Sequence, residues 1–129
     1  MEIDFGKRNG LVPVIIQNER TGDVLMLGFM NAESLAETRR TGEAVFFSRS
    51  RNKLWKKGES SGHVLRVLEI RVDCDADALL LRVEAVGPGV CHEGYGSCFF
   101  RTLEPDGSAK VIAERTFAPE KVYGSEKPR

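Results

Sequence analysis

The chain has 129 residues, 41% of them hydrophobic and 29% charged, and we expect one folded domain that spans residues 1–129. Its 19 Lys and Arg residues balance 19 Asp and Glu residues, which argues against a general attraction to nucleic acid or to an anionic membrane. No apolar run approaches the roughly 20 residues that span a bilayer, and no signal-peptide apolar region follows Met1, so the sequence predicts a cytoplasmic protein.

The first predicted element is a β-hairpin. Val12–Asn18 is an apolar run rich in β-branched residues, and Val24–Met30 is a second apolar run. The turn between them contains Gly22, so we expect the two runs to pair as antiparallel strands.

A short helix is predicted next, over residues 32–40. Asn31 suits its N-cap, and Met30 and Leu35 stand where a hydrophobic staple would form. Gly42 follows the basic end of this stretch, as is common just beyond a helix C-terminus.

Ala44–Ser48 is typical of a strand and leads into a basic segment, residues 49–57, in which five of nine residues are Arg or Lys. One interpretation is a solvated loop in which Trp55 anchors the core. The other is a phosphate-binding surface, because guanidinium and ammonium groups pair well with phosphate oxygens. The candidate substrate-binding residues are Arg49, Arg51, Lys53, Trp55 and Lys57.

Alternating apolar and polar residues predict two adjacent strands, Leu68–Cys74 and Leu79–Val86, joined at Asp75-Ala76-Asp77. In the first strand, one face is expected to carry the apolar residues Leu68, Ile70, Val72 and Cys74. Residues 98–103 and 110–113 are predicted as later strands around a turn, and the end from Pro119 as a loose tail or partner-docking arm. The predicted fold class is α+β, a mainly antiparallel sheet with one or two short helices.

All three cysteines lie between residues 74 and 98, and they suit zinc. Cys91 and Cys98 flank a segment with His92, Glu93 and three Gly or Ser residues, where apolar packing explains a cysteine poorly. Ordinary buried thiols are the alternative interpretation, since free cysteine is among the most buried residue types. Three ligands would leave a fourth position for water, as in catalytic zinc sites, unless His63 or His92 closes the shell.

Asp73, Asp75 and Asp77 occupy every second position, and their mutual repulsion favours a bound cation or a basic partner. Along an extended chain they would stand about 6.6 Å apart, too far for magnesium, so we expect the backbone to bend there. An acidic hairpin turn without a metal is the alternative, since aspartate favours turns.

Four sequence motifs together closely resemble the phosphoribosyl-AMP cyclohydrolase family of histidine biosynthesis. They are Ser48-Arg49-Ser50-Arg51 with residues 54–62, then residues 73–77, then Cys91-His92-Glu93-Gly94, and finally residues 97–101. The resemblance runs in order from about Leu25 to Arg101, and Gly28-Phe29-Met30-Asn31 also fits the family pattern.

The resemblance implies a homodimer with one zinc per subunit at the interface. Cys74 would come from one chain and Cys91 and Cys98 from the other, with magnesium on Asp73, Asp75 and Asp77. The implied reaction is the opening of the adenine ring of 1-(5-phosphoribosyl)-AMP at the N1–C6 bond by zinc-bound hydroxide. His92 is the candidate general acid/base, with a role in orienting neighbouring groups as the alternative.

Two other functions compete with this interpretation. A zinc nucleobase deaminase uses similar chemistry, but its Pro-Cys-x-x-Cys signature is absent here because six residues separate Cys91 from Cys98. A structural zinc module that binds RNA through residues 49–57 is the second, and the neutral net charge argues against it.

Overall fold

The computed structural model describes residues 1–123. A 3₁₀ turn, Gly6–Arg8, precedes the first strand. The strands are β1 (Val12–Asn18), β2 (Val24–Met30), β3 (Val45–Ser48), β4 (Lys53–Lys56), β5 (Leu65–Val72), β6 (Leu79–Ala85), β7 (Arg101–Leu103) and β8 (Ala109–Val111), and the helices are α1 (Ala32–Thr41) and α2 (Pro119–Tyr123). Within residues 1–123, no helix has both the length and the apolar character needed to cross a membrane.

The strands form a four-stranded sheet in the order β2-β1-β6-β5 and two separate antiparallel pairs, β3-β4 and β7-β8. Within the large sheet, β1-β2 and β5-β6 are antiparallel, whereas β1 and β6 run parallel. The predicted α+β class with mainly antiparallel pairing is confirmed.

Alternate residues of β1 and β6 supply the centre of the core. Val14 pairs with Leu79 and Ile16 with Leu81 in the parallel register, and all four side chains are buried. Because side chains alternate along a strand, this register places both apolar sets on the same face of the sheet. Met26 of β2 lies on the same face beside Ile16, and this face packs against Phe46 of β3 and Trp55 of β4.

The hairpin and the first helix form where the sequence predicted them. Asn31 caps α1 by accepting from the Ser34 backbone N–H at 2.8 Å, and the Ser34 hydroxyl accepts from the Asn31 N–H at 2.9 Å. This reciprocal capping box satisfies two helix-terminal donors. Gly42 closes the helix in a left-handed conformation, with a φ of 76°.

The strand predicted at Leu68–Cys74 is displaced, because β5 begins at Leu65 and ends at Val72. Val67 pairs with Val83 while Glu69 pairs with Arg82, so Leu68 is the additional residue of a β-bulge. The bulge turns Leu68 outward to 57% exposure, and the prediction that it lies on the buried face was wrong.

Two other predictions need correction. The loop interpretation of the basic segment was wrong for Lys53–Lys56, since this stretch is strand β4, and Phe46 pairs with Trp55 across the β3-β4 hairpin. Trp55 is buried and packs on Phe46 with 5.3 Å between ring centroids, so its predicted core role is confirmed. The loose tail was wrong for Pro119–Tyr123, which form α2; residues 124–129 lie outside the described part of the chain.

Candidate functional site

The turn between β5 and β6, residues 73–78, brings the three aspartates together, and we call it the aspartate turn. Asp73 accepts from the backbone N–H groups of Asp77 and Ala78 at 3.0 and 3.2 Å, and Ala76 takes a left-handed φ of 61°. The bend brings oxygens of Asp73, Asp75 and Asp77 within 4.8 Å of one another. In residues 1–123, no other trio of His, Cys, Asp or Glu side chains is close enough to hold a metal ion. The expected backbone bend is confirmed.

Two cations of the N-terminal 3₁₀ turn face these carboxylates. Lys7 Nζ lies 3.3 Å from Asp75 and 3.2 Å from Asp77, and Arg8 Nη1 lies 3.5 Å from Asp77. The Asp4 N–H donates to the Ala76 carbonyl at 2.7 Å and ties the N-terminal segment to the aspartate turn.

The carboxylates of Asp75 and Asp77 can hydrogen-bond to each other when one of them is protonated, and they therefore titrate differently. This bond, supported by Lys7, lowers the pKa of Asp77 to about 2, while the same contact raises the pKa of Asp75. The trio therefore holds concentrated negative charge at neutral pH, and an ammonium group already stands against it. Oxygen ligands at this spacing fit a hard divalent cation.

The segment after β6 folds into a tight loop around Cys91. We call this loop, residues 87–98, the cysteine loop. The Cys91 N–H donates to the Tyr95 carbonyl at 3.1 Å, and the Gly94 N–H donates to the Cys91 carbonyl at 3.0 Å. Gly94 has a φ of 97°, which glycine adopts without strain. The Cys98 N–H donates to the Leu25 carbonyl at 2.7 Å and attaches the loop to β2.

Cys91 and Cys98 form an ionisable pair of thiols. A hydrogen bond from Cys98, helped by the backbone N–H of Glu93 at 3.4 Å from the Cys91 Sγ, lowers the pKa of Cys91 to about 6. Burial of Cys91 acts in the opposite direction and is outweighed. A thiolate is therefore available at neutral pH, and thiolate is the form of cysteine that binds zinc.

Cys74 does not join this pair within one chain. It is exposed in the aspartate turn, whereas Cys91 is buried in the cysteine loop. Within the described residues, neither Cys74 nor a histidine completes a trio with Cys91 and Cys98 at metal-binding distance. The two thiols that one chain brings together have the donor chemistry that suits zinc, but they are fewer than the four ligands that zinc usually takes.

Both histidines belong to segments near Cys91: His92 follows it in the chain, and His63 contacts the loop at Gly89. His92 is partly exposed, with its Nε2 3.9 Å from an oxygen of Glu93. His63 approaches from the segment after β4, where its Nδ1 lies 3.0 Å from the Gly89 carbonyl and its ring meets Phe117 edge-on.

A cleft of about 610 Å³ opens between β2 and the β3-β4 hairpin. Arg49 lies over the Phe29 ring at 3.9 Å, and Trp55 contributes to the wall. Gly28 makes room for this arrangement, because a Cβ there would stand 2.6 Å from the Phe46 ring. The cleft combines an aromatic surface with a guanidinium, which suits a phosphorylated nucleotide.

The predicted substrate-binding residues fall into three places. Arg49 and Trp55 line the cleft, whereas Arg51 and Lys53 are exposed outside its lining. Lys57 is 2% exposed and donates to the Val90 carbonyl. Phe29, Lys7 and Arg8 were missed as site residues; only Phe29 had a sequence signal, its place in Gly28-Phe29-Met30-Asn31.

Comparisons with known proteins identify the family of this chain. A sequence model described as phosphoribosyl-AMP cyclohydrolase matches residues 26–100. The phosphoribosyl-AMP cyclohydrolase of Solibacter usitatus is 58% identical over 124 residues, covering 96% of this chain and 98% of that protein. The enzymes of the same name from Desulforapulum autotrophicum and Nitratidesulfovibrio vulgaris are 50% and 51% identical, covering 95% and 93% of this chain and 98% and 94% of those proteins. The chain belongs to the phosphoribosyl-AMP cyclohydrolase family.

Proposed function

We propose that this protein hydrolyses the N1–C6 bond of the adenine ring in 1-(5-phosphoribosyl)-AMP, a step of histidine biosynthesis. One observation carries the proposal. The family match over residues 26–100 includes both the aspartate turn and the cysteine loop, the two clusters that have metal-ligand chemistry. That the match spans the residues of both clusters supports the proposal.

Cys91 and Cys98 are the zinc ligands that one chain supplies. The low pKa of Cys91 supports this assignment, because a thiolate binds zinc without first losing a proton. We assign the third ligand to Cys74 of a second copy, since Cys74 is exposed and does not meet the other two cysteines in its own chain. Zinc, when bound, supplies the Lewis acidity that makes water nucleophilic near neutral pH.

Asp73, Asp75 and Asp77 are assigned to magnesium. Their oxygens are within 4.8 Å of one another, a spacing that one hard cation can bridge. Magnesium prefers carboxylate ligands, usually together with substrate phosphates.

Side chains of the cleft bind and orient the substrate. The aromatic rings of Phe29 and Trp55 offer surfaces to a nucleobase, and Arg49 places a guanidinium where phosphate can pair with it. Exposed Arg51 and Lys53 extend the positive surface.

His92 exchanges protons with the reacting groups. It takes a proton from the attacking water and gives one to the ring nitrogen N1 when the N1–C6 bond breaks. Imidazole suits both steps because its ordinary pKa lies close to neutral pH. The position of His92 next to Cys91, and its partial exposure, support this role.

A homodimer accounts for apolar surface that one chain leaves uncovered. Ile15 and Leu27 are direct cross-strand neighbours on the outer face of the large sheet and are 40% and 39% exposed. Leu103 on β7 is 81% exposed. Burying such side chains against a second copy would stabilise a dimer.

The test is a ring-opening assay on the full chain purified without added metal, combined with elemental analysis for zinc and magnesium. We expect turnover of phosphoribosyl-AMP and about one zinc per chain in the wild type. In Cys91→Ser, we expect zinc and turnover to be lost together while circular dichroism shows the same fold. A wild-type protein that holds one zinc per chain but opens no ring would overturn the proposed function, and full turnover in metal-free Cys91→Ser would overturn the ligand assignment.

A further inference from the structure

Two side chains of the segment between β4 and β5 form hydrogen bonds to backbone carbonyls of the cysteine loop. Lys57 donates from its ammonium group to the carbonyl of Val90. Six residues later in the chain, His63 Nδ1 bonds to the carbonyl of Gly89 at 3.0 Å. A carbonyl oxygen only accepts, so the proton of this bond lies on Nδ1. Two consecutive carbonyls directly before Cys91 are therefore each held by a side chain.

Lys57 is an unusual residue to find at this place. Its side chain is 2% exposed, and burying an ammonium group costs far more than burying an apolar side chain of similar length. Such a group is retained in a core when its hydrogen bonds have a structural or functional use. Here the bond is to the carbonyl of the peptide group that joins Val90 to Cys91, the residue that forms the thiolate.

His63 fits its position closely. A Cβ on Gly87 would stand 2.5 Å from the His63 ring, so the loop passes against the imidazole with no spare room. Phe117 contacts the ring edge-on from another side, with 5.0 Å between centroids. Because these contacts restrict the His63 ring, its hydrogen bond to the Gly89 carbonyl restrains the position of the loop.

We propose that Lys57 and His63 are positioning residues that orient Cys91 for metal coordination, and that Lys57 has no direct contact with substrate phosphate. The inference rests on the proposed function, since it takes Cys91 as a metal ligand. Fixing the carbonyls of Gly89 and Val90 fixes the peptide that leads into Cys91, and with it the direction of the thiolate towards Cys98. Groups that orient metal ligands in this way commonly affect metal affinity about 10- to 100-fold.

The test uses the full chain with Co²⁺ in place of zinc, because thiolate-to-cobalt absorption reports the ligand geometry directly. Lys57→Met removes the donor at similar side-chain length, Lys57→Arg keeps a cationic donor, and Lys110→Met removes an exposed lysine on β8 as the matched control. We expect Lys57→Met to lower Co²⁺ affinity about 10- to 100-fold and to shift the absorption band. Lys57→Arg should recover most of both, and Lys110→Met should match the wild type.

The outcomes separate this inference from the ligand assignment. If Cys91→Ser leaves the thiolate band unchanged, the assignment of Cys91 itself is wrong. If Cys91→Ser abolishes the band but Lys57→Met changes neither band nor affinity, the positioning role is wrong. If Lys57→Met then raises KM alone, Lys57 contacts substrate phosphate instead. Should Lys57→Met fail to fold, His63→Phe decides, with the same band shift expected and an unchanged spectrum overturning the proposal.

Discussion

Lys7 Nζ lies 3.2 Å from Oδ2 of Asp77, so a lysine of the N-terminal turn stands against the carboxylates that we assign to magnesium. The same ammonium is 3.3 Å from Asp75. These contacts raise the pKa of Lys7, first through Asp77 and then through Asp75, so the lysine is cationic at neutral pH. A divalent cation must therefore compete with a positive charge that is tethered to the same chain.

We expect Lys7→Met to bind Mn²⁺, used as a magnesium probe, about 10-fold more tightly than the wild type, because the competing ammonium is gone. Electron paramagnetic resonance of free Mn²⁺ during titration measures this affinity without an activity assay. Lys110→Met is the control for loss of one positive charge and should bind as the wild type does. Equal or weaker binding by Lys7→Met would show that Lys7 supports the aspartate turn instead of competing for it.

The proposal that two chains share a zinc site predicts complementation between two inactive variants. Cys74→Ser and Cys98→Ser chains should each be inactive alone. After they are unfolded and refolded together, mixed dimers should regain part of the activity, because one of their two sites contains all three native cysteines. The measurement is turnover per mixed dimer, isolated by two different affinity tags. Inactive mixed dimers that are confirmed by mass spectrometry would contradict a site built from two chains.

Removal of the proposed proton-transfer group should leave the metal in place. For His92→Ala, we expect unchanged zinc content and a fall in kcat of about 100-fold or more, the usual contribution of a general acid/base. His92→Gln serves as the matched variant that keeps hydrogen bonding. A rate in His92→Gln close to that of the wild type would reduce His92 to an orienting role.

The low pKa of Cys91 predicts how the metal-free protein reacts with alkylating agents. The thiolate is the reactive form, so the alkylation rate of Cys91 should rise with pH and reach half its maximum at about pH 6. Because the hydrogen bond from Cys98 is the largest cause of the shift, Cys98→Ala should move the midpoint to higher pH. Peptide mass spectrometry after timed iodoacetamide exposure measures both. An unchanged midpoint in Cys98→Ala would remove Cys98 as the cause.

The lowered pKa of Cys91 also makes the stability of the metal-free fold depend on pH. Cys91 loses its proton more easily when folded than when unfolded, so this group stabilises the metal-free fold fully above its unfolded pKa. The contribution declines as pH falls and is gone below about pH 6, the folded value.

Thr38 joins α1 to the strand that leads into the cleft. Its buried hydroxyl accepts from the Val45 N–H at 3.0 Å and lies 2.9 Å from the Ser34 carbonyl, to which it can donate. We expect Thr38→Val to lower the free energy of unfolding by about 1–3 kcal/mol, because the Val45 donor is left unsatisfied. Thr41→Val, at an exposed hydroxyl of the same helix, should change it by less than about 0.5 kcal/mol. Urea denaturation of both variants measures the difference, and equal effects would contradict this account.

Elements that depend on neighbouring residues were predicted from the sequence with little error. The β1-β2 hairpin and α1 follow from apolar periodicity and from turn and capping residues such as Gly22, Asn31 and Gly42. The aspartate bend was also predicted, since magnesium needs the three carboxylates closer together than an extended chain would place them. Local chemistry specifies these features because all the interacting groups lie within a few residues.

The tertiary structure decided the features that join distant parts of the chain. The parallel β1-β6 pair and the bulge at Leu68 are matters of strand register, which local propensity does not specify. Lys7 meets Asp77, and Lys57 is buried beneath Val90, only because the fold brings separate segments together. By itself, the sequence pointed to the residues that we propose for metal and proton chemistry, because those residue types and spacings are local features. Packing between segments determined which cations face the aspartates, the cleft and the cysteine loop.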